Sequence, residues 1–176
     1  MAAFDELDWR RIDVWAIVGC AGLASVFEQA RPFYRDWLER HGYAIDSLDC
    51  RPGLCQAIPE LGRMLRWEEQ FGYSLEADSR SLDALRDGFE FEMPAGGGRV
   101  LEVFGADLAW QEDPRWMLGM LSIAQEHSRR QLALGRRFFI LLVLPEGSPL
   151  IGVEIETTTV PFQFSRASRD SDEFAC

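Results

Sequence analysis

The 176 residues carry 29 acidic and 18 basic side chains, a formal net charge of −11, with 47% hydrophobic and 27% charged residues. That length allows one domain, or one with a modest extension, whose core needs neither disulfides nor metals. The acidic balance opposes binding to a nucleic-acid backbone and favours basic partners, while the ordinary apolar fraction opposes general disorder.

All eighteen basic residues are arginine. The four cysteines, Cys20, Cys50, Cys55 and Cys176, form no C-x-x-C pair. With only two histidines, this pattern argues against structural zinc and a disulfide framework, and for free thiols in a reducing compartment.

Residues 1–10 read as a polar lead-in. Ile12–Val18 is apolar with β-branched and aromatic members, which predicts a strand. Ile17-Val18-Gly19-Cys20 resembles a lipoprotein cleavage box. The acidic leader, with Asp5, Glu6, Asp8 and Asp13, argues against a signal peptide, and no run is long enough to span a membrane. Leu23, Val26, Phe27 and Ala30 recur at helical spacing. Pro32 then opens a new helix carrying Phe33, Trp37 and Leu38, capped by Gly42.

Tyr43–Leu48 predicts a second strand. Leu54, Ile58, Leu61 and Leu65 make one helical stripe, with the regular part expected from Pro59 and an end near Phe71-Gly72. A polar, acidic connection, Tyr73–Arg80, follows. Ser81–Gly88 predicts a short helix, with Ser81 as N-cap and Gly88 just past its end.

Ala95–Gly98 is a loop and Arg99–Phe104 a third strand. Asp113-Pro114 signals a helix start, with Trp116, Met117, Met120, Leu121 and Ala124 on its buried face. Phe138–Leu144 is an uninterrupted apolar run, as expected of a strand covered on both faces. Val153–Glu156 alternates like a half-exposed strand, continued by β-formers around Pro161. Ser165–Cys176 is a polar tail. Strands alternating with helices predict an α/β fold: a mostly parallel sheet of about four to five strands packed with helices.

Few residues offer catalytic chemistry. His41 precedes a capping glycine, and His127 falls near an apolar helical stripe, so both fit structural roles. The turn Val18–Gly22 lies between a predicted strand and helix, where phosphates can bind, but it lacks the G-x-G-x-x-G pattern. A small-molecule enzyme with its site at Gly19–Gly22 is the remaining catalytic alternative. Carboxylates crowd the stretch from Glu60 to Glu92. Asp83 and Asp87 share one helix face, while Leu82 and Leu85 fall on another and can anchor the helix.

Leu82-Asp83-Ala84-Leu85-x-Asp87 resembles the L-D-A-L-x-D core of the barstar helix that enters the active site of the ribonuclease barnase. Phe71-Gly72 matches the aromatic-glycine before that helix. Tyr43–Cys50, Leu54–Trp67, Arg99–Phe104, Asp113–Gly135 and Phe138–Leu144 are similar to the family's remaining elements, in order. His41-Gly42-Tyr43 and Thr159-Val160-Pro161-Phe162 resemble the leading and trailing segments of longer bacterial members.

The resemblance implies one barstar-like domain over 1–164, with a core at 43–144, an N-terminal strand–helix extension at 11–42 and a C-terminal strand at 151–164. It implies a non-enzymatic, cytoplasmic inhibitor or immunity protein (an antitoxin) that occludes a ribonuclease toxin with an acidic helix, without cofactor or metal. Asp83 and Asp87 would mimic RNA phosphates, with Arg86 between them and Phe71, Tyr73 and Phe91 supplying aromatic contact. Four features depart from the family pattern, the first being Ser81 in place of the common asparagine. Tyr73–Arg80 makes the approach to the helix about seven residues longer than usual. Arg86 replaces a tryptophan. Arg129-Arg130-Gln131-Leu132 replaces an acidic helix end. These departures favour another toxin nuclease or, alternatively, a barstar-like scaffold for a non-nuclease regulatory or structural protein.

Overall fold

In a computed structural model, residues 4, 8, 11–76, 82–155 and 158–160 are described. The main sheet is built from β1 (Leu23–Phe27), β2 (Tyr43–Asp49), β3 (Gly98–Phe104) and β4 (Arg137–Leu144), in the order β1-β4-β3-β2. Every pairing in it is parallel. The expected mostly parallel α/β sheet is therefore present.

The apolar run in β4 explains its central place. Phe138, Ile140, Leu142 and Leu144 face one core cluster, and Phe139, Leu141 and Val143 face the other. One face is covered by α3 (Leu54–Met64), α5 (Leu82–Gly88), α6 (Ala106–Glu112) and α7 (Pro114–Ala133), which join the first cluster. The other is covered by α2 (Arg31–Arg40) through Tyr34, Trp37 and Leu38. Asp113 caps α7, accepting the Trp116 amide at 3.0 Å, as its sequence indicates. Glu112 does the same for α3, accepting the Leu54 amide at 3.0 Å.

The N-terminal assignments are reversed. Ile12–Val18 is helical: α1 (Ile12–Val14) runs into a π-helical turn, Trp15–Gly19. Leu23–Phe27, expected as helix, is the edge strand beside β4. Both segments satisfy either periodicity. Ile12, Ala16 and Ile17 pack as one helical stripe, while Leu23 faces one core and Ala24 and Val26 the other. Tertiary pairing along β4 overrides local propensity.

The buried Asp13 fixes this arrangement. Arg11 forks onto it at 3.0 and 2.6 Å, and the Tyr43 hydroxyl donates to it at 2.5 Å. Tyr43, of the His-Gly-Tyr motif, thus ties the N-terminal helix to the sheet. His41 stacks on Trp37 with ring centroids 3.8 Å apart, and its Nδ1 lies 2.7 Å from the Trp37 carbonyl. A second buried carboxylate, Glu102 of β3, receives Arg31 at 3.2 and 3.0 Å, Arg35 at 3.2 Å and the Ser47 hydroxyl at 3.1 Å. Both sites use the planar fork peculiar to arginine.

Three smaller expectations change. The regular part of α3 begins at Leu54, with Pro59 inside it. The stripe does not run on to Phe71: Arg66 turns left-handed at φ 54°, and a separate α4 (Trp67–Phe71) follows. The C-terminal strand is a small antiparallel pair, β5 (Glu154–Ile155) with β6 (Thr158–Thr159), forming its own two-stranded sheet. Ser81, Arg80, residues 161–164 and the tail 165–176 lie outside the described residues.

Candidate functional site

Helix α5 is seated by its apolar side. Leu85 is buried, and Leu82 packs where α7 carries glycine: a Cβ at Gly119 would stand 2.4 Å from Leu82 Cδ1. At the other end, a Cβ at Gly88 would stand 2.5 Å from Trp67 Cζ3 and 2.6 Å from Phe71 Cε2. The Gln70 amide donates to the Gly88 carbonyl at 3.3 Å, joining α4 to α5. These contacts orient Asp83, Arg86 and Asp87 outward, and all three are exposed.

Arg86 does not neutralise the aspartates by direct pairing. Its Nε lies 3.3 Å from Glu126 of α7. Among the described residues, neither Asp83 nor Asp87 has an ion-pair partner. Among the described residues, the face therefore presents two unpaired carboxylates one helical turn apart, bordered by an arginine–glutamate pair. Local sequence gave no signal for Glu126; only the packing of α5 beside α7 brings it here.

Phe71 and Tyr73 join this surface. Trp67, Phe71 and Tyr73 form an aromatic group with centroid separations of 4.5, 6.3 and 6.1 Å. Trp67 is buried beneath, while Phe71 is 39% and Tyr73 50% exposed. Large exposed aromatics beside a charged helix are features of protein contact surfaces.

Phe91 does not belong there. It is buried with Phe89 and Phe138 around His127, and it offers a partner no surface. The odd-numbered residues Phe89 and Phe91 turn inward, leaving Glu90 and Glu92 exposed. These acids, not Phe91, are what this stretch shows to solvent.

His127 is fully buried, with Phe89, Phe91 and Phe138 edge-on at 5.6, 6.1 and 4.7 Å. Burial pushes it down to about 4, and the nearby Arg130 adds to this. The Phe89 backbone opposes the shift only weakly, and neither ring nitrogen makes a well-formed hydrogen bond. This is a packing residue. Burial also pushes Cys50 up to about 12.

The Gly19–Gly22 turn leads into a strand rather than a helix, so it has no helix N-terminus to present to a phosphate. It packs closely on α7, where a Cβ at Gly22 would stand 2.3 Å from Ser128 Oγ. Beside the aromatic group, a cleft of about 470 Å³ lies between α3, α4 and residues 74–76. Its walls mix Arg63 and Arg66 with Glu68, Glu69 and Glu76, so it selects no single charge. Among the described residues, no group of His, Cys, Asp or Glu is placed to hold a metal ion, and no helix is long and apolar enough to cross a membrane. Comparison with family models, curated proteins and solved structures returned no match.

Proposed function

We propose that this chain is a protein-binding domain of the barstar type, an inhibitor or immunity protein that covers the active site of a basic ribonuclease. The observation that carries this reading is the exposed Asp83–Asp87 pair on a helix locked by Leu82, Leu85 and Gly88, beside exposed Phe71 and Tyr73. Two carboxylates on one rigid face complement the cationic site that holds RNA phosphate, and the net charge of −11 favours encounter with a basic enzyme. The 43–144 segment gives three adjacent strands, β2, β3 and β4, with α3 to α7 between them in chain order. That order is consistent with the resemblance. The setting would be the bacterial cytoplasm, where such an inhibitor guards its host.

The test mixes the chain with a panel of basic microbial ribonucleases and measures protection of RNA together with complex formation. A tight, salt-sensitive one-to-one complex is expected, lost on Asp83→Arg with Asp87→Arg. Full binding by that double variant would remove α5 from the interface. The Arg86–Glu126 pair favours a second reading, a non-nuclease partner, because it places a cation within the acidic face. Capture of a non-nuclease protein, with no RNA protection, would support that reading.

A further inference from the structure

The order of the main sheet creates a second binding place. Strand β1 leads into α2 on one face, while the segment after β4 sends Leu150 and Ile155 into the core on the other. Since β1 and β4 are neighbours, their carboxyl ends part at a switch point, where open α/β sheets bind ligands. A cleft of about 200 Å³ opens there. Phe104, Val143 and Pro145 contribute apolar wall, and Glu28, Arg51 and Asp107 contribute charge.

The two nearby arginines are already engaged. Arg51 forks onto Asp49 at 2.8 and 2.7 Å and lies 5.3 Å from the Phe104 ring centre. Arg31 lies 4.8 Å from the same ring and is bonded to Glu102. Asp107 differs. It is only 8% exposed, it lines the cleft, and among the described residues it makes no hydrogen bond or ion pair. Its carboxylate oxygens are not sealed from water, so a cation entering the cleft would meet an acceptor that has no other side-chain partner among the described residues. Exposed Glu28 borders the same cleft. Of the charged residues that line the cleft, Glu28 and Asp107 outnumber Arg51, so the lining favours a cation over an anion.

We propose that this cleft receives the arginine or lysine side chain of a protein partner, with its cationic head between Asp107 and Glu28 and its stem on the apolar wall. The volume lies below the roughly 300–1,000 Å³ of small-molecule sites and suits one side chain. Leu108, 46% exposed and also lining the cleft, offers an apolar contact for the backbone flanking such a residue. None of these residues belongs to α5 or to the Phe71–Tyr73 pair, so this site stands independently of the function proposed above.

The test titrates the isotopically labelled full chain at low salt with acetyl-arginine amide, its neutral citrulline analogue, and propylguanidinium. Saturable shifts at the Gly105, Leu108 and Val143 amides are expected with the arginine compound. They should weaken about tenfold in Asp107→Asn, as loss of a charge-assisted pair implies. The exposed Glu28→Gln, which does not put folding at risk, should also weaken them. Propylguanidinium should bind more weakly than the blocked arginine. Equal or tighter binding would assign the cleft to a free small cation and overturn the proposal. Shifts matched by the citrulline analogue, unchanged in both variants, or absent throughout would overturn it too.

Discussion

Gly88 ends α5 directly against Trp67, with room for a hydrogen but not a methyl: a Cβ would lie 2.5 Å from the ring. The working helix is thus positioned by a close approach of backbone to a buried indole. Gly88→Ala would ordinarily favour a helix by about 1 kcal/mol. Here Trp67 is 1% exposed and cannot yield, so overpacking should destabilise the protein by about 1–3 kcal/mol. Urea unfolding of the variant measures this; a gain in stability would mean α5 is not seated as described.

Glu102 is the hub of a partly buried charge network, and its loss should be felt far more than loss of either arginine. Glu102→Ala leaves Arg31 without its carboxylate and Ser47 without its acceptor, while Arg35 keeps Glu39, and should cost about 2 kcal/mol. Arg35 is 37% exposed and also pairs with Glu39 at 2.9 Å, so Arg35→Ala should cost under about 1 kcal/mol. Comparing the two unfolding midpoints tests the hierarchy, which equal losses would contradict.

His127 predicts an acid-sensitive core. Its folded-state value is about 4, against 6.5 for the free side chain. The unfolded chain therefore takes up the proton first as pH falls. Stability is unaffected above about pH 6.5 and declines from there to pH 4, by up to about 3 kcal/mol. Replacing His127 with Leu should flatten the dependence in that window relative to the parent chain, read as urea midpoints at pH 7.5 and 5.0.

The thiols should differ sharply in reactivity. Cys55 is exposed, whereas Cys50 is buried and pushed up to about 12. Asp49 and Glu112 reinforce that shift after burial, the larger cause. Because thiolate is the reactive form, a thiol reagent applied at pH 8 should modify Cys55 long before Cys50. Peptide mapping by mass spectrometry distinguishes the sites; equal labelling would show that the α3 N-terminus opens readily.

Much of the candidate site was legible because helical spacing alone separates Leu82 and Leu85 from Asp83 and Asp87. Phe91 was misplaced because a period-two stretch, Phe89 to Glu92, gives no sign of which face is inside until α7 supplies His127 as a neighbour. Glu126 could not be linked to Arg86 from spacing, since the pair spans two helices. The sequence places Gly88 just past the end of the helix, whereas it is the last residue of α5. Its role is close packing, which depends on a ring that reaches it from another helix.

The sequence by itself determined the alternating α/β plan, the central apolar strand Phe138–Leu144, the Asp113 cap and the acidic face of α5. Each rests on contacts within one segment or on solvent partition of a single face. The tertiary structure decided which of Ile12–Val18 and Leu23–Phe27 would be the strand. Both can form either element, and only one can pair along β4 while the other delivers Asp13 to Tyr43 and Arg11. It also decided that Asp107 would line a cleft at the switch point between β1 and β4, with no side-chain partner among the described residues. That placement depends on strand order, which no local pattern encodes.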